Sequence, residues 1–225
     1  MSRLGIFGGS FDPVHYGHLL LAENAREQYR LDRVIFVPAG QPPHKQVPPL
    51  ASAEDRAAML QLAIAGHEAF EISRYELDQT GVCYTVQTLR YFRTQYPEAE
   101  LFLILGGDML KDLPHWREAD EVIRLARPLA ARRPGWEDWD WTPFQAIASP
   151  EQIEQIRSGL IQMPLAALSS TEIRRRVAAG RSIRYQTPRA VEQYILTHGL
   201  YRNSVVSSAA SPREPDCSAP PRPNR

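Results

Sequence analysis

The sequence holds 225 residues in 25.5 kDa, 43% of them hydrophobic and 23% charged, which suits one sizeable core and little more. Lys+Arg and Asp+Glu both number 26, so the formal net charge is zero. That balance argues against a broad nucleic-acid surface or an anionic-membrane surface, and leaves room for a small basic pocket.

The elements follow in order. Leu4, Ile6 and Phe7 read as a short apolar strand that Gly8-Gly9-Ser10 breaks. An apolar-rich helix then runs from about Tyr16 to Tyr29, with Leu19, Leu20, Ala22, Ala25 and Gln28 at helical spacings. Val34–Val37 is a buried-strand run closed by Pro38, and Glu54–Ala65 is a helix with Met59, Leu62 and Ala63 on one face. Phe70–Ser73 and Tyr84–Phe92 give a further strand and helix, with Cys83 in a strand-like stretch. Leu101–Leu105 is a continuous apolar run ending in Gly106-Gly107, the pattern of a central parallel strand. Strands alternating with helices call for an α/β fold with a doubly wound parallel sheet and right-handed crossovers. Ligands then bind beyond the carboxyl ends of the strands, where the strand order reverses.

The segment from Gly135 to Trp141, GWEDWDW, reads as a surface loop with its aromatics tucked back. After Tyr201 the composition turns to Ser, Ala, Pro and Arg, so residues 1–202 form the expected domain and 203–225 a disordered tail. Cys83 and Cys217 cannot build a disulfide framework or a C-x-x-C site. No window nears the ~20 apolar residues of a membrane span. The start, MSRLGIFGGSFDP, lacks a signal peptide's apolar core, and a reducing cytoplasm is the expected compartment.

The strongest chemical signal is GGSFDPVHYGH, residues 8 to 18. A Gly-rich turn after a strand lets backbone N–H groups approach a phosphate chain without Cβ interference. His15 sits just before the helix and His18 in its first turn, so both imidazoles can lean toward a helix end that already favours anions. An isolated pair of histidines would more often cap or pack. With Gly-Gly-Ser-Phe-Asp-Pro directly upstream, we read them as facing phosphates. The run is neither G-x-G-x-x-G nor a P-loop. A zinc site is weighed and set below this reading, because no third ligand is signalled nearby.

These residues match without a gap the G-x-F-D-P-x-H-x-G-H signature of the nucleotidylyltransferase superfamily, which the chain therefore resembles. Leu168-Ser169-Ser170-Thr171-Glu172-Ile173-Arg174 is similar to that superfamily's I-S-S-T-x-x-R element. Physically it is a helix start: hydroxyl caps, N–H donors, then an arginine one turn in. In the middle of the chain, VPAGQPPHK (Val37 to Lys45) resembles the P-P-H-K loop of nicotinate-nucleotide adenylyltransferases. Glu76-Leu77 with GVCYT (Gly81 to Thr85), GGDMLKDLPHW (Gly106 to Trp116) and Arg132-Arg133-Pro134-Gly135 also resemble that family. The departures are Cys83 where Ser is usual and Leu168 where Ile is usual.

The resemblance spans about residues 3 to 202 and implies a Rossmann-like fold with C-terminal helices. It implies adenylyl transfer from ATP to nicotinate mononucleotide, a step of NAD biosynthesis, with Mg²⁺ carried by the ATP phosphates rather than by a protein cage. On that reading His15, His18, Lys45 and Arg174 are catalytic. ATP is held by Gly8, Gly9, Ser10, Phe11, His15, His18, Gly107, Asp108, Ser170, Thr171 and Arg174. The mononucleotide is held by His44, Lys45, Tyr84, Thr85, Asp108 and Trp116, with Trp116 stacking on the pyridine ring. Glu23, Arg56 and Glu76 are read as structural or solvated. The alternatives are a related transferase acting on nicotinamide mononucleotide, phosphopantetheine or choline phosphate, and a non-catalytic nucleotide sensor on the same fold. Neither a nucleic acid nor a membrane is an expected partner, and a homo-oligomer is left open.

Overall fold

In a computed structural model describing residues 2–40, 50–131, 139–164 and 168–202, the apolar runs become parallel strands. They are β1 (Arg3–Gly9), β2 (Arg33–Pro38), β3 (Phe70–Ile72), β4 (Glu100–Leu105), β5 (Arg127–Ala131) and β6 (Leu160–Ile161). Their lateral order is β3-β2-β1-β4-β5-β6, and every pairing is parallel. The order reverses between β1 and β4, whose registers align Phe7 with Ile104. A crevice for a ligand opens at such a reversal, beyond the carboxyl ends.

The helices are α1 (Tyr16–Gln28), α2 (Ala53–Ile64), α3 (Thr85–Gln95), α4 (Gly107–Asp112), α5 (Ala119–Leu125), α6 (Pro150–Ser158), α7 (Ser170–Ala178) and α8 (Arg189–Thr197). They cover both faces, as a fully parallel sheet requires. Alternation along the strands separates two cores. Phe7, Val34, Phe36, Phe102 and Ile104 pack with α1, α2, α7 and α8. Leu4, Ile6, Ile35, Val37, Leu101, Leu103 and Leu105 pack with α3, α4, α5 and α6. Serine caps start three of the helices. Ser52, Ser149 and Ser169 accept from the N–H groups of Asp55 (3.0 Å), Gln152 (3.3 Å) and Glu172 (3.1 Å).

Several expectations need correction. β1 is not broken at Gly8 but runs on through Gly9, because Gly8 and Gly9 pair with Val37 and Pro38 of β2. Glycine's weak strand preference yields there to a parallel ladder. On α2 the buried face is Arg56, Met59, Leu60 and Ile64, and Leu62 is 38% exposed. A buried arginine had hidden that face from hydrophobic periodicity. On α1 Ala22 and Ala25 are buried and Leu19 packs on the core as expected, and Leu21 is buried with them in place of Leu20. Cys83 is buried, but it lies in the irregular stretch before α3 rather than in a strand. Trp139 and Trp141, the described part of the GWEDWDW loop, pack on each other and on Phe144, with Arg157 over the Trp141 ring. Among the described residues no helix is long and apolar enough to cross a membrane.

Arg56 is 2% exposed, and its Nη1 donates to the carbonyls of Ser10 (2.9 Å) and Ala39 (2.7 Å), just past the ends of β1 and β2. Arg56→Met would keep the stem and leave both carbonyls short of a donor. Its expected cost is about 2–4 kcal/mol of folding stability, read as a lower urea midpoint at unchanged slope. A midpoint equal to wild type would show that the guanidinium is dispensable there.

Candidate active site

The site is built from three chain segments at the carboxyl edge of β1 and β4. The first is the turn after β1. Gly8 and Gly106, at the ends of the two neighbouring strands, would each point a Cβ into open space. The backbone there can accept a bulky ligand at close range. Phe11 adopts a positive φ of 46° while 1% exposed, a conformation unusual for a side chain of its size and met most often at functional turns. Its ring stands edge-on to Phe7 at 5.4 Å and to His18 at 5.1 Å.

His15 is the N-cap of α1 and His18 its third residue. The two rings stack at 3.7 Å between centroids with 22° between planes. The His15 N–H donates to His18 Nδ1 at 3.2 Å, which puts the neutral His18 proton on Nε2 and makes that nitrogen a donor. Gly17 lets the His15 ring lie close to the helix, since a Cβ there would stand 3.0 Å from Cε1 and Nδ1 of His15 and the ring would have to shift by a few tenths of an ångström. His15 is 6% exposed, and its Nδ1 is buried without a hydrogen-bond partner among the described residues. His15 stands at the N-terminus of α1, the end of a helix that favours anions.

Burial pulls the His15 pKa down from 6.5 to about 4. Above pH 6.5 the ring is neutral both folded and unfolded. Below it only the unfolded chain takes up the proton, so stability falls as the pH drops from 6.5 toward 4. Urea midpoints measured at pH 7, 6 and 5 should fall more steeply for wild type than for His15→Asn. Parallel slopes would contradict a neutral buried imidazole.

The second segment is the start of α7, opposite the turn. The Ser170 hydroxyl donates to the Pro13 carbonyl at 2.9 Å. Arg174 Nη1 donates to the Asp12 carbonyl at 2.7 Å, and its Nη2 to Thr171 Oγ1 at 3.3 Å. Thr187 donates to the Val14 carbonyl at 2.8 Å, and the Tyr16 N–H to the Gln186 carbonyl at 3.1 Å. Residues 170 to 187 thus hold the FDPVH backbone from outside.

The third segment lies beyond β4. Gly107 and Asp108 open α4, with Gly107 buried and Asp108 exposed. Trp116 follows that helix and is 8% exposed, packed in the second core. Tyr84 and Thr85, both half-buried, are the N-cap and first residue of α3. The Arg117 guanidinium lies 4.8 Å from the centre of the Tyr84 ring, which brings the start of α3 beside the segment of Trp116. His44 and Lys45 lie outside the described residues. Among those described, no group of three or more His, Cys, Asp or Glu could hold a metal ion.

The structure therefore unites His15, His18, Ser170, Thr171 and Arg174 around one turn, and Tyr84, Thr85 and Trp116 in a second neighbourhood. Sequence reasoning gave no role to the side chains of Asp12, Thr187 and Tyr201, which hold the first of these together, and its structural reading of Arg56 agrees with that residue's burial and carbonyl contacts. Asp12 was within reach, as the acidic residue of the quoted motif. Two concavities of 340 and 420 Å³ lie elsewhere, the former among Arg93, Arg127 and Pro128 at the amino end of β5. Arg93 and Arg127 donate there to backbone carbonyls, which is a structural use.

The cytidylyltransferase-like family model matches residues 6–176. A Thermomicrobium roseum protein named "Probable nicotinate-nucleotide adenylyltransferase" is 48% identical over 202 residues, covering 90% of this chain and 92% of that protein. A Thermus thermophilus protein of the same name is 47% identical over 200 residues, covering 89% of this chain and 100% of that protein. The Plasmodium falciparum nicotinic acid mononucleotide adenylyltransferase complexed with NaAD superposes with a TM-score of 0.66 at 19% identity, covering 89% of this chain and 98% of that chain. That likeness shows the fold alone, a doubly wound parallel sheet between helices.

Proposed function

The chain belongs to the cytidylyltransferase-like family, and we propose that it moves AMP from ATP to nicotinate mononucleotide, yielding nicotinate adenine dinucleotide and pyrophosphate. The observation that carries the reading is the stacked His15–His18 pair at the N-terminus of α1, beside the open Gly8 backbone at the sheet's reversal point. A phosphate oxygen of the mononucleotide attacks the α-phosphorus of ATP. The bond from that phosphorus to the bridging α–β oxygen breaks, and pyrophosphate leaves with the electron pair. Positioning and stabilisation of charge on the phosphoryl oxygens carry such a step.

The residues divide accordingly. Gly8, Gly9, Ser10 and Phe11 form the turn against which the triphosphate lies. His18 Nε2–H is assigned to the oxygens of the reacting phosphate, and the neutral His15 to the chain beside it. Ser170, Thr171 and Arg174 close on ATP from α7, and Gly107 and Asp108 contact its ribose from α4. Tyr84 and Thr85 are assigned to the pyridine carboxylate, and Trp116, His44 and Lys45 are assigned to the mononucleotide on the family resemblance. Asp108, exposed in the first turn of α4, is placed to meet a metal that arrives on the triphosphate. Mg²⁺ would enter in that way and neutralise phosphate charge. The family and the relatives' names favour this reading over the nucleotide-sensor alternative.

ATP with a chiral phosphorothioate at the α-phosphorus tests both substrate and step. The dinucleotide formed with nicotinate mononucleotide is expected to carry inverted configuration, with one pyrophosphate per dinucleotide. Retention would implicate an enzyme-bound intermediate, and absence of the dinucleotide would overturn the reading.

A further inference from the structure

The turn after β1 rests on a buried junction that the histidines and α7 do not account for. The Asp12 carboxylate is 3% exposed and is met from three distant parts of the chain. Its Oδ2 accepts from the Leu50 N–H (2.9 Å), and its Oδ1 from the Ala51 N–H (3.1 Å) and the Tyr201 hydroxyl (2.8 Å). Arg174 Nη1, while bonded to the Asp12 carbonyl, stands 3.7 Å from Oδ2. Arg56 adds the link to Ser10 and Ala39 described above. Ala39 and Leu50 flank the segment that carries His44 and Lys45. The turn after β1, Arg174 and the backbones of Ala39, Leu50 and Ala51 therefore meet around the buried side chains of Asp12 and Arg56.

A carboxylate's χ2 is a broad torsion, so its plane is set by the donors around it. Two adjacent backbone N–H groups, Leu50 on Oδ2 and Ala51 on Oδ1, hold the carboxylate from one side of the turn only. The Tyr201 hydroxyl, arriving from 189 residues away, supplies a donor from another direction. Burial and the neighbouring Asp12 raise the Tyr201 pKa, so the hydroxyl stays a donor throughout the working pH range. Tyr201 is 7% exposed and holds a φ of +64°, a backbone conformation kept only where the surroundings impose it.

We propose that Tyr201 is a positioning residue for the transfer reaction: its hydroxyl helps fix the Asp12 carboxylate, which stands against Arg174 on one side and the Leu50–Ala51 backbone on the other. The proposal rests on the function given above. A displacement of the phosphate-binding groups of ~1 Å can cost up to ~10²-fold in rate. Loss of one of several donors displaces them less, and a fall of about tenfold is expected.

The test compares Tyr201→Phe, which keeps the ring in the core, with Tyr29→Phe, whose hydroxyl bonds the Ser158 carbonyl at the far end of the sheet. Tyr201→Phe should lower kcat about tenfold with both KM values within about threefold of wild type. Amide hydrogen exchange should quicken in residues 50–56 and 169–176, and Tyr29→Phe should do neither. A kcat within twofold of wild type, a loss confined to KM, or an equal loss in Tyr29→Phe would overturn the proposal. If Tyr201→Phe does not fold, Asp12→Asn supplies the same readouts with the same expected direction. If wild type itself makes no dinucleotide, the proposed function fails. The junction is then judged by exchange alone: quickened exchange supports it and unchanged exchange overturns it.

Discussion

His18→Ala is expected to lower turnover by about two orders of magnitude or more while leaving the fold intact. His18 is the third residue of α1, where alanine is the best helix former, so the helix persists although the His15 N–H loses its acceptor. The loss falls on the site. With Nδ1 engaged by the His15 N–H, Nε2–H is the group this ring presents as donor. Stacking on His15 and the edge contact with Phe11 hold it in one orientation, so little reorganisation is needed as charge develops on the phosphoryl oxygens. A pre-placed donor of this kind has an effect on kcat that alanine cannot replace. KM for ATP should move much less, because backbone groups and Arg174 still bind the ground state. The check is kcat and melting temperature measured side by side. Near-normal turnover would remove His18 from the mechanism, and an unfolded variant would make it a structural residue.

Nicotinate mononucleotide is expected to be used at least ~10²-fold more efficiently than nicotinamide mononucleotide. The two differ only in a carboxylate or a carboxamide on the pyridine ring. Thr85 is the first residue of α3, a helix of 11 residues, and the leading N–H groups of a helix have no intrahelical acceptor. The helix dipole and the nearby Arg117 guanidinium add positive potential at the same end. A carboxylate pairs with every donor there, whereas an amide turns its NH₂ toward one of them. Thr85→Val should therefore lower kcat/KM for the acid more than for the amide. Trp116→Ala should weaken both substrates alike, since stacking does not sense the carboxylate. Selectivity that fell with Trp116→Ala and not with Thr85→Val would mean the carboxylate site is misplaced.

What was legible in the sequence was what is local. The GGSFDPVHYGH run contains both the turn and the helix start, so His15 as N-cap and His18 in the first turn follow from spacing. Ser169 as a cap and Arg174 one turn into α7 are local in the same sense. The strands β2 and β4 are unbroken apolar runs, as burial on both faces demands. The continuation of β1 through Gly8 and Gly9 was hidden, because it depends on pairing with Val37 and Pro38 rather than on glycine's own preference. Between Asp112 and Ser169 the strands are as short as the two residues of β6, too brief to show a period, whereas α6 has nine residues and a Ser149–Gln152 capping box that sequence reasoning passed over. The contacts of Asp12 with Ala51 and Tyr201 join positions 39 and 189 residues apart, and no local pattern announces them.

The central claim is tested most directly by pyrophosphate release from ATP with a panel of acceptors: nicotinate mononucleotide, nicotinamide mononucleotide, phosphopantetheine and choline phosphate. The account predicts the highest kcat/KM for nicotinate mononucleotide, at least ~10²-fold above each of the others. Faster release with any other acceptor, or ATP binding without release for all four, would contradict it.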